Sequence, residues 1–297
     1  MIRGILPALL TPMNEDGTSV NHATLTRLVD FHIHSGVSGF FVCGGTGEGL
    51  LLRPDEREAV LKTVLEAARG RATVIAHIGT LDTPTACELA VHAAGLGVDA
   101  IAAVPPVYFK VDQDALVDHY RLIAEAAPDT PIYPYNIPSS TGVEISAAVM
   151  ARLLEIPTVG GIKYSSYNLF DMRNIIELAP ERLTVLSGFD EVCVAALTMG
   201  AHGAIGSTYN IMPATFSALY AAMQAGDLTT AQELQFRANR VIKALLSAPL
   251  IASLKAVLTE RGYDCGGPRR PQRTLAPDER QGLLAAVAAA GLDELEA

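Results

Sequence analysis

The stretch "VGGIKYSSYNLFDMRNIIEL", residues 159–178, contains the pattern that decides the fold. Its first five residues are a mainly apolar run that predicts a buried strand, and residues 169–178 have the spacing of an amphipathic helix. Lys163 lies at the predicted end of the strand. Because lysine is almost never fully buried unless it is paired or takes part in chemistry, this position marks a candidate functional residue.

The same strand-then-helix pattern repeats along the chain. Apolar runs predict eight strands, at residues 4–10, 39–43, 73–78, 100–104, 131–135, 159–163, 184–187 and 203–205. Amphipathic stretches predict eight helices, at residues 21–35, 54–69, 84–96, 113–127, 146–154, 169–178, 191–199 and 213–225. The strand runs are continuous rather than alternating, as in a parallel sheet covered on both faces. An α/β fold is therefore predicted, a (β/α)8 TIM barrel over residues 1–226.

After residue 226 the strand signals stop. Residues 229–247, 250–261 and 277–290 predict three further helices, and the Gly/Pro/Arg-rich stretch "DCGGPRRPQR", residues 264–273, links the last two. Residues 227–297 are thus predicted to form a C-terminal three-helix extension packed on the barrel.

Composition excludes several classes of partner. The formal net charge of -10 argues against a nucleic-acid or anionic-membrane surface. No apolar stretch approaches the roughly 18 residues that span a bilayer, and the start "MIRGILPALLTP" lacks the features of a secretory signal. The four cysteines are scattered, without zinc-site or disulfide spacing. A reduced, cytoplasmic protein is predicted.

The strand ends of a barrel carry its chemistry, and Lys163 and Tyr135 both belong to this set. Lys163 is either a rim lysine whose ammonium reaches water, or a Schiff-base lysine, because an amine enclosed by apolar groups loses its proton more readily and attacks a ketone. Tyr135, in "YPYNIP", is either a proton relay or a half-buried core residue. Pro134 beside it cannot donate to the sheet, and the sequence assigns it no role.

The stretch "GGTGEG", residues 44–49, is a candidate anion cradle. Its small residues let backbone N–H groups converge, and Thr46 adds a hydroxyl. Plain turn glycines are the structural alternative. A dinucleotide loop is disfavoured because "LLLR" separates the glycines from the next helix and their spacing does not fit.

Metal chemistry is the rival enzyme class. "HIH", His32 and His34, resembles the His-x-His pair of metal-dependent barrel hydrolases. These residues fall within a predicted helix, however, and two positions apart they point to different faces. His77 lies at a strand end without ligand companions. No metal site is predicted.

Taken together, five short motifs of this sequence resemble those of a known protein family. "GGTGE", "YNIPSSTG", "GIK", "SGFDE" and "GAIGSTYNIMP" occur in the order and spacing of the pyruvate-dependent Schiff-base aldolase superfamily, which contains dihydrodipicolinate synthase and N-acetylneuraminate lyase. The resemblance covers the whole chain. It implies a barrel, a lysine–pyruvate imine that needs no organic cofactor or metal, a small keto acid substrate, and a homotetramer built as a dimer of dimers.

The resemblance also implies roles for single residues. Lys163 matches the imine lysine and Tyr135 the relay tyrosine. The residues that match substrate-binding positions are the carboxylate-binding Gly45, Thr46 and Gly47, the tyrosine Tyr108 that in some members approaches a neighbouring subunit, the hydroxyl residue Ser165, and the sugar-chain residues Gly188, Asp190, Glu191, Gly206 and Ser207.

The branch of the family is indicated by a few positions. Ser140, in "SSTG", stands where the synthase has an arginine, which disfavours dihydrodipicolinate synthase. "GFDE" and "GSTYN" resemble N-acetylneuraminate lyase, although Gly45 stands where lyases often carry a serine. An aldolase that cleaves N-acetylneuraminate to pyruvate and N-acetylmannosamine is expected. The alternatives are another 2-keto-3-deoxy sugar acid aldolase or dehydratase, and a non-catalytic ligand-binding regulatory barrel.

Overall fold

The computed structural model describes residues 1–15 and 17–296. The strands are β1 (Gly4–Pro7), β2 (Gly39–Val42), β3 (Thr73–His77), β4 (Ala100–Ala103), β5 (Ile132–Asn136), β6 (Gly161–Tyr164), β7 (Thr184–Ser187) and β8 (Gly203–Gly206). The helices are α1 (His22–His34), α2 (Pro54–Ala68), α3 (Thr83–Gly95), α4 (Gln113–Ala126), α5 (Pro138–Thr141), α6 (Ala147–Leu153), α7 (Leu169–Leu178), α8 (Cys193–Thr198), α9 (Pro213–Gln224), α10 (Leu228–Leu245), α11 (Leu250–Glu260), α12 (Pro277–Ala289) and α13 (Leu292–Leu295).

The eight strands form one sheet in the order β1-β8-β7-β6-β5-β4-β3-β2. At the two ends of that order, Ala8 after β1 and Phe41 of β2 form a parallel bridge. Every strand residue except Thr73 is buried, which agrees with the continuous apolar runs. The alternation of eight strands with helices, followed by C-terminal helices, confirms the predicted (β/α)8 TIM barrel with a helical extension.

The chain forms two compact units, residues 1–3 with 73–205, and residues 4–72 with 206–297. The first contains β3 to β7, most of β8 and helices α3 to α8. The second contains β1, β2, α1, α2 and the C-terminal helices from α9 onward. In this second unit, Glu296 near the chain end accepts hydrogen bonds from the backbone N–H groups of Ala214 and Thr215, at 3.2 and 2.9 Å, at the start of α9. The C-terminal helices are thereby tied to the last barrel helix.

Several elements differ in length from the sequence expectation. The helix predicted at residues 191–199 is α-helical only from Cys193, because Asp190–Val192 is a 3-10 turn in which the Cys193 N–H bonds the Asp190 carbonyl. The four-residue helices α5 and α13 have too few residues to show a helical period, and neither was predicted.

The pairing of β5 with β6 contains a one-residue shift. Ile132 pairs with Val159, whereas Tyr135 pairs with Lys163, so the pairing advances three residues on β5 and four on β6. The shift coincides with Pro134, which has no N–H to donate, and prolines within sheets occur at such bulges. The sequence left Pro134 unexplained. In the structure Pro134 lies on β5 opposite the segment of β6 that contains the extra residue, next to the register shift that pairs Lys163 with Tyr135.

Across residues 1–15 and 17–296 there is no single helix with the length and apolarity to cross a membrane. Helices α10 and α11 meet the length and composition test only as a pair, with a bend of 107° between them.

Candidate active site

The residues predicted for the site are distributed over the two units. Residues 73–205 supply Tyr108, Tyr135, Lys163, Ser165, Gly188, Asp190 and Glu191. Residues 4–72 and 206–297 supply Gly45, Thr46, Gly47, Gly206 and Ser207.

Lys163 and Tyr135 form the centre of the first set. Lys163 is 3% exposed and Tyr135 is 6% exposed, so both side chains are removed from water. The Lys163 Nζ lies over the Tyr135 ring, 4.1 Å from its centroid, which is a cation–π geometry. The interpretation of Lys163 as a rim lysine that reaches water is therefore wrong. The structure instead places a buried amine against a tyrosine.

His77 is a second aromatic neighbour of Tyr135. The two ring centroids are 6.0 Å apart with the planes at 88°, an edge-to-face contact. The backbone N–H of Val104 donates to His77 Nε2 at 3.4 Å, so this nitrogen acts as an acceptor. A Cβ at Gly79 would lie 2.9 Å from the same nitrogen, and glycine there leaves room for the ring. His77 therefore packs beside Tyr135, a contact that the sequence did not suggest.

The histidine pair considered for metal binding is divided between the interior and the surface. In α1, His32 is fully buried, with Nδ1 2.6 Å from the Leu28 carbonyl and Nε2 3.1 Å from the Asn210 carbonyl, whereas His34 is exposed. Burial lowers the pKa of His32 to about 4. The prediction that the two rings point to different faces is confirmed. In the part of the chain that the structure describes, no three or more His, Cys, Asp or Glu residues are grouped to hold a metal ion.

Ser165 and Gly188 are adjacent at the ends of β6 and β7. The Ser165 N–H donates to the Asn136 carbonyl and the Gly188 N–H to the Tyr164 carbonyl, both at 2.8 Å. A Cβ at Gly188 would lie 1.9 Å from the Ser165 Oγ, so the hydroxyl fills the space that a side chain would need. Within the described residues this buried hydroxyl has no hydrogen-bond partner. A buried polar group without a protein partner is suited to contact a substrate.

Asp190 and Glu191 lie in the 3-10 turn after β7, where Asp190 is buried and Glu191 is partly exposed. The Tyr167 hydroxyl donates to the Glu191 Oε1 at 2.5 Å, and this hydrogen bond is the main cause that raises the pKa of Tyr167 to about 12. The Tyr167 ring also packs against the Phe189 ring, with 4.5 Å between the centroids and 39° between the planes. Tyr167 thus orients Glu191. This contact could not be predicted from the sequence, because an exposed aromatic residue carries no signal for a particular partner.

Tyr108 lies on an exposed loop after β4. It has a left-handed φ of 76°, is 88% exposed, and contacts the ring of Phe109 edge to face. The structure does not bring it into the buried Lys163–Tyr135 pair.

In the second set, the structure brings Thr46 and Ser207 together, with 2.7 Å between their hydroxyl oxygens. The Thr11 hydroxyl donates to the Gly47 carbonyl at 2.7 Å. A Cβ at Gly47 would lie 2.8 Å from the Leu9 carbonyl oxygen, so close packing requires glycine there. At the exposed Gly45, by contrast, a Cβ would meet no atom within 4 Å.

Asn210 fixes the backbone beside Ser207. Its Oδ1 accepts from the Leu10 N–H at 3.0 Å, and its Nδ2 donates to the carbonyls of Ala8 and Ser207, each at 2.8 Å. The asparagine of "GSTYN" is therefore structural. Glu48 of "GGTGEG" likewise received no role from the sequence, although its carboxylate is buried against Lys255. The available signal was a lysine within the apolar stretch "LIASLKAVL".

In this barrel, a buried amine and a tyrosine lie opposite each other on neighbouring strands. Such an arrangement is typical of enzymes that act on carbonyl compounds. The chain belongs to the Dihydrodipicolinate synthetase family, whose family model matches residues 1–290.

The chain is also similar to individual proteins of known name. The chain is 39% identical over 287 residues to N-acetylneuraminate lyase of Rhizobium meliloti (strain 1021), covering 97% of this chain and 95% of that protein. It is 40% identical over 257 residues to N-acetylneuraminate lyase of Enterobacter sp. (strain 638), covering 86% of each. The solved structure of wild-type Ruminococcus gnavus sialic acid aldolase matches with a TM-score of 0.95 at 32% identity, covering 99% of this chain and 98% of that chain.

Proposed function

We propose that this protein is a class I aldolase that cleaves N-acetylneuraminate to pyruvate and N-acetylmannosamine through an imine on Lys163. The observation that carries the proposal is the buried Lys163 Nζ, 4.1 Å from the centroid of the Tyr135 ring. A buried amine beside a phenol has the two groups that imine formation needs, a nucleophile and a proton carrier. The names of the relatives, lyases and a sialic acid aldolase, support the substrate.

The proposed reaction begins when the Lys163 amine attacks the C2 ketone. Tyr135 donates a proton to the departing hydroxyl, water leaves, and a protonated imine forms. The resulting phenolate removes the proton from the C4 hydroxyl, and the electrons of the C3–C4 bond move into the imine. This step releases the open-chain N-acetylmannosamine aldehyde and leaves an enamine. Protonation at C3 and hydrolysis then release pyruvate and restore the amine.

The protonated imine accepts the electrons of the broken bond, so the proposal includes no organic cofactor and no metal. We expect activity to be unchanged after exhaustive chelation and dialysis. Loss of activity that added zinc restores would assign the protein to a different mechanism.

The substrate assignment rests on acceptor groups. In the proposal, Thr46 binds the carboxylate together with the backbone of Gly45 and Gly47. The residues that form hydrogen bonds with the hydroxyl groups of the sugar chain are Ser165, Gly188, Asp190, Glu191, Gly206 and Ser207. Acidic side chains accept hydrogen bonds from hydroxyls and repel a second carboxylate. Ser140 offers no cation to a dicarboxylate, which disfavours the synthase reaction.

The decisive test is trapping with pyruvate and borohydride, followed by peptide mass mapping. A reduced pyruvate adduct is expected on Lys163, and none in Lys163→Ala or without borohydride. An adduct on another lysine, or no adduct, would contradict the mechanism.

A second experiment tests the substrate by comparing kcat/KM for N-acetylneuraminate, six-carbon 2-keto-3-deoxy acids and the pair of pyruvate with aspartate semialdehyde. We expect preference for the nine-carbon acid. Preference for six-carbon acids would assign the protein to the other sugar acid aldolases or dehydratases. Binding without turnover of any substrate would favour the regulatory barrel.

We further propose a cytoplasmic homotetramer, a dimer of dimers, without nucleic-acid or membrane partners. The exposed neighbours Tyr108 and Phe109 support a subunit contact, since large exposed aromatic groups commonly mark interfaces. Light scattering should give the mass of four chains for the wild type and a lower mass for Tyr108→Ser combined with Phe109→Ser. A monomeric wild type would contradict this assembly.

A further inference from the structure

The loop of residues 44–49 contains a buried carboxylate that the proposed reaction does not use. Glu48 is 2% exposed and has a left-handed φ of 58°. Its Oε1 lies 2.5 Å from the Nζ of Lys255 in α11, and its Oε2 accepts a hydrogen bond from the Arg269 backbone N–H at 2.5 Å. Both partners come from the C-terminal region, far along the sequence from the loop that they contact.

The Lys255 side chain is as completely buried as that of Glu48. Its Nζ also donates to the Gly267 carbonyl at 3.0 Å, in the linking stretch 264–273. Burial lowers the pKa of Lys255, and the nearby Glu48 carboxylate opposes this effect. Removing one partner of a buried ion pair leaves the other charge buried and unpaired, which strongly destabilises the fold. Each of these two charges therefore depends on the other.

Arg269 also anchors the linking stretch. Its guanidinium bonds both carboxylate oxygens of Glu56 in α2, at 2.6 and 2.9 Å, and the Thr18 carbonyl at 2.7 Å. The backbone N–H that bonds Glu48 is therefore itself fixed by a bidentate ion pair, which is the most directional kind.

The backbone on both sides of Thr46 and Gly47 depends on the conformation of Glu48. The Glu48 N–H bonds the Gly45 carbonyl and the Gly49 N–H bonds the Gly44 carbonyl, each at 3.0 Å. A residue with a side chain avoids the left-handed region unless surrounding contacts hold it there. Lys255 and Arg269 supply those contacts.

We propose that Lys255 is a positioning residue: through its buried pair with Glu48, the C-terminal extension holds Thr46 and Gly47 in the conformation that binds the keto acid carboxylate. This inference rests on the proposed function, in which Thr46 and Gly47 bind that carboxylate. Lys255 itself does not touch the substrate. Its removal weakens pyruvate binding and leaves the chemistry on Lys163 largely intact.

The test measures borohydride trapping of Lys163 against pyruvate concentration, well below the melting temperature of each variant. Lys255→Met keeps the side-chain length and removes the charge. We expect it to raise the half-saturating pyruvate concentration at least about tenfold, with the maximal trapping rate within about threefold of wild type. Glu48→Gln, which preserves shape, should shift the same concentration and serves as the second variant if Lys255→Met does not fold.

The matched control is Glu296→Gln. It removes a half-buried carboxylate of the same unit, one that bonds the start of α9 and has no hydrogen bond to residues 44–49. It should lower the melting temperature without moving the half-saturating pyruvate concentration. In the double variant Glu48→Gln/Lys255→Met, the fold-increase in the half-saturating pyruvate concentration should be smaller than the product of the two single-variant increases. Both changes break the same ion pair, so the second change has less left to remove.

A wild type that gives no adduct would overturn both the proposed function and this inference. The second outcome separates the two claims. If the wild type is trapped on Lys163, and if Lys255→Met and Glu48→Gln lower the melting temperature but keep the wild-type half-saturating pyruvate concentration, this inference alone is overturned. The pair would then be purely structural.

Discussion

The side-chain nitrogen of Lys163 lies 4.1 Å from the centre of the Tyr135 ring, and the two residues are direct register partners on β6 and β5. With the pairing of Ile132 with Val159 continued unchanged, Tyr135 would oppose residue 162 instead. One extra residue on β6, opposite the segment of β5 that contains Pro134, shifts the register by one residue. The position of the amine over the ring therefore follows from a local irregularity of the sheet, opposite a residue that cannot donate a hydrogen bond.

The first prediction concerns the two tyrosines of β5. Tyr135→Phe keeps the ring beneath Lys163 but removes the hydroxyl, so pyruvate should still be trapped while kcat falls by at least about a hundredfold, the usual scale of lost proton transfer. Tyr133→Phe is the matched control. Tyr133 is also buried, yet it packs on Gly161, where a Cβ would lie 2.1 Å from its ring. Steady-state kinetics should show little change for Tyr133→Phe, and equal losses in both variants would contradict the relay assignment.

Much of this arrangement could be predicted from the sequence, because the strand-then-helix alternation is a strong periodic signal and both Lys163 and Tyr135 fall at strand ends. The contacts that orient these residues could not be predicted. The register shift between β5 and β6 depends on the pairing of two strands, and the burial of Glu48 against Lys255 joins residues far apart in sequence. A single sequence shows the type of each residue but not which distant residue it meets.

The second prediction concerns Gly45, which stands where related lyases often have a serine. A Cβ at this exposed position would meet no atom within 4 Å, so the fold should accept a side chain without loss of stability. Gly45→Ser adds a hydroxyl next to Thr46, and one hydrogen bond to a carboxylate should lower KM for pyruvate by about three- to tenfold. Gly45→Ala, which lacks the hydroxyl, should leave KM unchanged. Equal KM values for the two variants would show that the position does not contact the carboxylate.

The third prediction concerns the space shared by Gly188 and Ser165. Gly188→Ala places a methyl group 1.9 Å from the present position of the Ser165 Oγ, so the hydroxyl must move. We expect a lower melting temperature and a kcat/KM reduced at least about tenfold, because core overpacking and loss of a substrate contact act together. Adding Ser165→Ala should restore only part of the lost melting temperature, because the Cβ of residue 165 would still lie 3.0 Å from the new methyl group. It should not restore kcat/KM. Recovery of full activity in the double variant would exclude Ser165 from substrate binding.

The fourth prediction concerns the pH dependence of stability. Burial lowers the pKa of His32 from 6.5 to about 4, and it lowers that of His119 to about 4 as well. Between these two pH values, the histidines therefore bind protons in the unfolded chain but not in the folded chain. The stability from the neutral rings is fully present above about pH 6.5 and is lost as pH falls toward 4, at up to about 1.4 kcal/mol per pH unit for each ring.

His32→Gln should thus make the free energy of unfolding less dependent on pH across this window, as measured by denaturant titration at several pH values. His34→Gln, a change at an exposed position of the same helix, should leave the slope as in the wild type. An unchanged slope in His32→Gln would show that His32 is not buried in its neutral form.

The last prediction tests whether Glu191 makes the protein distinguish long sugar acids from short ones. Glu191 accepts a hydrogen bond from the Tyr167 hydroxyl, and the Tyr167 ring is held against Phe189. Tyr167→Phe keeps the ring contact with Phe189 and removes only the hydrogen bond that orients the carboxylate. A group that must be ordered on binding costs affinity, so KM for N-acetylneuraminate should rise by about three- to tenfold. KM for a six-carbon 2-keto-3-deoxy acid should change less, because its chain ends sooner.

Glu191→Ala should have the same selectivity with a larger effect, since it removes the acceptor itself. If Glu191 reads the distal hydroxyls, the double variant Tyr167→Phe/Glu191→Ala should bind N-acetylneuraminate no more weakly than Glu191→Ala alone, because Tyr167 then has no carboxylate to orient. Additive losses would mean that Tyr167 contacts the substrate directly. Equal losses for nine- and six-carbon acids would remove Glu191 from the residues that determine chain length.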